Sequence, residues 1–317
     1  MDLRQLRYFK VLATLQHFGR ASAALHIAQP ALSRQIRLLE EELGVRLLER
    51  HVRGATPTPE GLVLLDRASF LLRYADQVKV DIADLAASPR GLVALGLTPA
   101  LAPLLFIPLA EALREQYPEI RLRLVENFAP ALQDALLQGT LDVALLSGPV
   151  SSPGVSAVPL VAESLCAIGP WEDASLGDGP VEIEQLQGLP LILTGVPKSG
   201  VRLALEALAA RQGLELQVTM EVESIEVARR LVARGFGWTV HFAAAIRDEL
   251  QAQRLQAVPI RGLELHRMIG YAAARPPSRA SLAVMETLRR VARELAVEGD
   301  WPNSRVLGEI GDGFSAA

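Results

Sequence analysis

Gln29, Ser33, Arg34 and Arg37 are side chains that can donate hydrogen bonds, and Leu32, Ile36, Leu39 and Leu43 recur among them at spacings of four, three and four. That spacing puts the four apolar residues on one stripe of an α-helix, aimed at a core, and leaves the opposite face polar. Such a face can reach phosphate oxygens or the acceptor atoms on base edges in the major groove, where a helix fits. Glu40, Glu41 and Glu42 follow at the far end, so the N-terminal half is the part suited to a polyanion.

A second chemistry is suggested further along. Thr194-Gly195-Val196-Pro197-Lys198-Ser199-Gly200-Val201-Arg202 follows an apolar run and brings a Gly-rich turn, two cations and a helix start together, which suits a carboxylate or similar anion. The bland alternative is a solvated surface loop. Thr98-Pro99-Ala100-Leu101 also stands between a strand and a helix, where Thr98 either caps the helix or touches a ligand, and the two roles are compatible. Ser147 and His241 end other strand-like runs, and a lone His is more often structural than functional. The candidate ligand contacts are therefore Thr98, Ala100, Leu101, Ser147, Thr194, Lys198, Arg202 and His241.

Catalytic patterns are missing. No G-x-S-x-G, H-E-x-x-H, Walker loop or full G-x-G-x-x-G occurs, and five histidines with one cysteine leave few nucleophile–base pairs. The expectation is a non-enzyme without cofactor or metal. Cys166 lies in an apolar run with Leu165, Ala167 and Ile168, which favours a buried, inert thiol and excludes an internal disulfide.

The polar face of residues 29–37 needs a scaffold. Upstream, Phe18, Ala21 and Leu25 make a shorter helix, and His26-Ile27-Ala28 is a tight connection, so the pair reads as a helix-turn-helix. From Asp2 to about Gly61, and most densely in AALHIAQPALSRQIRLLEEELGVRLLER, the chain resembles the N-terminal domain of LysR-type transcriptional regulators. Two positions depart from that pattern. Gly19 stands where Thr or Ser often begins the second helix, and Ala28 replaces the usual capping Ser or Thr, a loss of about 1 kcal/mol that can also remove a phosphate contact.

Asp2 can cap a first helix carrying Leu3, Leu6, Phe9 and Leu12. Glu49 to Pro57 has Gly and Pro flanking a basic tip, either a β-hairpin wing or an ordinary surface turn; the resemblance assigns a wing to the minor groove, with Arg53 at its tip. The candidate DNA contacts are Arg20, Gln29, Pro30, Ser33, Arg34, Arg37, Arg50 and Arg53. Residues 1–57 hold nine Lys or Arg against five acids although the whole chain is at −4, so a basic module is joined to an acidic body.

Thr58 and Pro59 begin a helix whose three-and-four spacing (Leu65, Ala68, Leu72, Ala75, Val78, Ile82, Leu85) runs to Ser88, about 29 residues or ~44 Å. A stripe that long must pack on a second copy or on its own domain. From Gly91 strands and helices alternate as βαβ units: strands at 92–97, 120–126 and 143–146 with helices at 101–117 and 129–138, then strands at 191–194, 216–222 and 237–241 with helices at 200–212 and 225–234. Residues 266–274 and the helix 281–295 return to the first set.

Two α/β lobes of this kind resemble the periplasmic-binding-protein fold of the LysR effector domain. The expected organisation is a winged helix-turn-helix at 1–58, a linker and dimerisation helix at 59–88, an effector domain at 91–298 (lobe I at 91–163 and 266–298, lobe II at 164–265) and a flexible tail at 299–317. In the family the residue matching Thr98 commonly touches the effector, and Ala129 stands where some members have Thr, which implies a more apolar pocket. The resemblance implies a regulator of inverted-repeat promoter DNA that responds to a small organic anion, such as a carboxylate or aromatic acid. The alternative is a constitutive DNA-binding protein whose C-terminal part only assembles oligomers. Expected partners are double-stranded promoter DNA, the effector, a second copy in a homodimer or homotetramer, and RNA polymerase. No apolar run approaches the ~18 residues of a membrane span, and no signal peptide opens the sequence, so a cytoplasmic location is expected.

Overall fold

The computed structural model describes residues 1–51, 54–83, 88–148, 152–177, 179–194 and 200–307. The chain forms two compact units, one spanning Met1–Ala87 and the other nearly all of the remainder.

The first unit opens with α1 (Leu3–Leu15), where Asp2 and Gln5 form a reciprocal capping box. His17 caps α2 (Phe18–Ala24) by accepting at Nδ1 from the amides of Gly19 and Arg20, the role that Gly19 cannot fill. His26 takes a left-handed φ of 54° in the turn, and α3 (Gln29–Leu43) starts with no side-chain cap from Ala28. Leu32, Ile36 and Leu39 pack with Phe9, Leu12 and Ala21. Leu43, at the end of α3, is 39% exposed and Leu3, at the start of α1, 45%, so each helix buries a shorter stripe than its spacing suggested. Glu40 belongs to the fold: its Oε1 accepts from Leu47 N at 2.9 Å and from Leu48 N.

The hairpin β1 (Leu48–His51) and β2 (Gly54–Pro57) is the wing. Ala55 N donates to Gln16 O at 2.9 Å. A Cβ on Gly54 would lie 2.0 Å from that same oxygen, so only glycine fits beside it. Thr58 Oγ1 accepts from Gly61 N and donates to Arg46 O, starting α4 (Pro59–Ala83, 25 residues). Ala68 and Leu72 bury against Leu6, while Leu71, Tyr74, Val78 and Ile82 stay exposed. The expected end at Ser88 and the position Leu85 touch residues 84–87, outside the described set.

The second unit is built on β3 (Gly91–Leu97), α5 (Ala102–Gln116), β4 (Ile120–Glu126), α6 (Ala129–Gln138), β5 (Val143–Ser147) and β6 (Val155–Pro170). It continues with β7 (Leu191–Thr194), α7 (Gly200–Arg211), β8 (Val218–Val222), α8 (Ile225–Val232), β9 (Trp238–Phe242), α9 (Arg247–Gln251), β10 (Leu255–Ala272), α10 (Arg279–Glu298) and β11 (Ser304–Val306). The sheet runs β4-β3-β5-β10-β6-β9-β7-β8, with β11 beside β6. Strands β3, β4 and β5 pair in parallel, as do β7, β8 and β9. Between these sets β6 and β10 run antiparallel to each other and cross from one lobe to the other. The register of that pair breaks between Pro259 and Glu264, which divides it into two lobes with separate cores.

Two expectations need correction here. The strand expected at 266–274 is only the second half of β10, and β6 was not anticipated, because Pro159 and the bulge at Leu160 opposite Arg267/Met268 interrupt any simple alternation. The flexible tail does not begin at Gly299. Trp301 is buried at 1% exposure in the lobe I core, and Ser304–Val306 pair with Glu163–Val161. Residues 308–317 lie outside the described set.

Candidate functional site

Within the first unit, Gln29, Pro30, Arg34 and Arg37 are exposed on α3, and Ser33 is half-buried among them. They share this placement because the buried stripe of α3 holds their face outward. Arg20 donates to Leu15 O at 3.0 Å and stays exposed. On the wing, the Arg50 guanidinium sits 5.0 Å from the Phe18 ring centroid, which steadies an exposed cation beside α2. Arg53 lies outside the described residues.

In the second unit a cavity of about 640 Å³ opens at the C-terminal ends of the parallel strands. Thr98 and Ala100 reach it after β3, Ser147 at the end of β5, Thr194 at the end of β7 and His241 near the end of β9. Phe128 and Ala129 at the start of α6 add apolar wall. Thr98 does not cap α5: its carbonyl accepts from Leu101 N and Ala102 N, while its hydroxyl has no partner.

Two described sequence candidates are not brought to this wall. Leu101 is fully buried in the lobe I core. Arg202 turns to carboxylates, with Nε on Glu206 at 2.7 Å and Nη1 on Glu221 at 2.6 Å, because α7 and β8 place acids within its reach. Lys198 lies outside the described residues.

Arg267 is the residue that sequence reasoning missed. It occupies the cavity wall at 1% exposure, donating from Nε to Glu163 Oε2 at 2.7 Å and from Nη1 to Ser147 Oγ at 2.5 Å. Its guanidinium carbon lies 3.7 Å from the Phe242 ring centroid. A signal existed in the sequence: Leu263, Leu265, Arg267 and Ile269 alternate onto one face of β10, and a cation on a buried strand face needs a partner. Glu163 is wholly buried, and desolvation pushes its carboxyl above the ordinary range while Arg267 opposes the shift. Desolvation, helped by the charge of Arg267, drives the His241 pKa down to about 4.

Buried polar atoms in native proteins rarely lack partners. Among the described residues seven side-chain atoms do, and five of them, Thr98 Oγ1, Thr194 Oγ1, His241 Nδ1, Arg247 Nε and Arg267 Nη2, belong to residues that line this one cavity; the other two are Glu163 Oε1 and Trp301 Nε1. No cluster of His, Cys, Asp and Glu among the described residues fits a metal ion, and no helix there is long and apolar enough to cross a membrane.

Residues 3–62 match the family described as bacterial regulatory helix-turn-helix protein, lysR family, and residues 86–296 match the LysR substrate binding domain. The chain belongs to the LysR family. This LysR regulator is 33% identical over 251 residues to the nitrogen assimilation regulatory protein nac of Klebsiella aerogenes, covering 78% of this chain and 80% of that protein. It is 31% identical over 301 residues to a probable hydrogen peroxide-inducible genes activator of Streptomyces viridosporus, covering 93% and 96%. A full-length OxyR variant from Pseudomonas aeruginosa superposes with a TM-score of 0.70 at 28% identity, over 92% of this chain and 95% of that one. The LysR regulator is thus a DNA-binding transcriptional regulator with an effector-binding domain, and the curated relatives it matches are regulators rather than enzymes.

Proposed function

We propose that this regulator binds inverted-repeat promoter DNA as a homodimer or a pair of dimers and responds to a small organic anion held between the two α/β lobes. The five unpartnered polar atoms in residues that line one cavity carry this reading. Each buried orphan costs about 1–3 kcal/mol, and a ligand that satisfies them recovers much of that. Binding changes the relative pose of the lobes, and the coupling free energy passes on to the DNA-binding unit.

On the DNA side, Gln29, Ser33, Arg34 and Arg37 read the major groove, with Pro30 setting the helix start and Arg20 and Arg50 on phosphates. The exposed Leu71, Tyr74, Val78 and Ile82 of α4 pack on a second copy. A cytoplasmic site of action and contact with RNA polymerase follow from that role.

The peroxide response in the name of one relative does not carry over. Oxidation needs a thiolate, and Cys166, alone in the chain, is buried with its pKa pushed up to about 12.

The test combines footprinting on DNA beside the protein's own gene with a thermal-shift screen of small organic acids on the full chain. An inverted-repeat footprint and at least one stabilising acid are expected. The same footprint with no stabiliser in the library would instead favour a constitutive DNA-binding protein with an assembly module.

A further inference from the structure

We infer, resting on the reading of the cavity as an effector site, that its ligand is a monoanion with an apolar body, anchored by Arg267 and restricted to a single negative charge by Glu163. Arg267 has committed Nε to Glu163 and one Nη1 proton to Ser147, while Nη2 is buried without a partner in a residue that lines the cavity. A charge-assisted bond from that nitrogen favours an anionic oxygen over a neutral one. The hydroxyls of Thr98 and Thr194 and the Nδ1 of His241 stand ready for the ligand's other polar positions.

A second negative charge meets less favourable surroundings, with Arg247 Nε the one other unpartnered arginine donor among the described lining residues. The other arginines on the wall already hold carboxylates: Arg229 contacts Glu226 and lies 3.3 Å from Glu249, and Arg247 pairs with Asp300. Glu223 and Asp248 also line the cavity and repel a dianion. Behind Arg267 sits Glu163, fully buried, so an arriving anion shares one guanidinium with a fixed carboxylate. Between the polar groups the wall is Pro103, Leu104, Phe128, Ala129, Val201 and Ile225, which suits a hydrocarbon body.

The full-length protein and its Glu163→Gln variant would be titrated calorimetrically with straight-chain and ring-bearing monocarboxylates, their amides, and dicarboxylates of the same skeletons. Gln keeps an oxygen for Arg267 Nε and removes the charge. In the natural protein one or more monocarboxylates should bind, with the matching amide and dicarboxylate weaker by on the order of tenfold; in the variant the dicarboxylate should close most of that gap. A preference for the dicarboxylate or the amide, or an unchanged ratio in a folded Glu163→Gln protein, overturns the single-charge inference and leaves the effector cavity standing. Failure of all three sets to bind natural protein that still binds DNA overturns the anion-effector reading as well. If the variant does not fold, the ranking in the natural protein decides alone.

Discussion

His241 shows how far the environment of one side chain can shift its chemistry. Its Nδ1 is closed to solvent without a partner, and burial holds it neutral in the fold down to pH of about 4, against an ordinary histidine value of 6.5. Between those values the unfolded chain binds a proton that the folded chain refuses, so stability falls as pH drops from 6.5 toward 4. Thermal melts should therefore decline more steeply over that window in the natural protein than in His241→Asn; parallel declines would show that His241 is not the group responsible. At the other site, Arg34→Ala and Gln29→Ala should each weaken specific promoter binding by about 1–3 kcal/mol in gel shifts, with oligomeric state unchanged in light scattering. Undiminished specific binding in both variants would discard the proposed reading face.

At the scale of elements, β11 is the least expected piece. Trp301 fills the lobe I core and its indole approaches Glu163, while Ser304–Val306 extend the crossover strand β6. Trp301→Ala should lower unfolding stability by about 3 kcal/mol or more in denaturant titrations, whereas a change near zero would mean that the segment is dispensable. The sequence concealed this because three strand residues within a Gly-rich, polar stretch carry no period of their own. The parallel strands β4 and β7 and helix α6 were legible to the residue, because short apolar runs between turn signals repeat the βαβ rhythm. Strands β6 and β10 were partly or wholly hidden, since their bulges shift register midway. The same holds for the cavity. Positions after strands, such as Thr98, Ser147, Thr194 and His241, could be found from strand order, whereas the Arg267–Glu163 pair joins residues 104 apart that only the crossover brings together.

For the whole molecule, charge and the exposed face of α4 each lead to a prediction. The exposed stripe of α4 ends at Ile82, 70% exposed, too much apolar surface to leave in water along one helix face. Val78→Asp combined with Ile82→Asp should shift full-length protein toward monomer in light scattering at fixed concentration, and an unchanged mass would place the dimer contact elsewhere. Residues 1–57 are basic while the chain as a whole is at −4, so promoter affinity should fall steeply with added salt. A flat salt response would argue against phosphate contact by this module.

Cys166 has one more consequence. Asn303 Nδ2 donates to its sulfur at 3.2 Å, and the residue is fully buried, so maleimide dyes have no reactive native thiol to find. A single exposed cysteine introduced by His51→Cys would be the sole point of labelling, which opens the regulator to fluorescence and spin-probe distance measurements without first removing a natural residue.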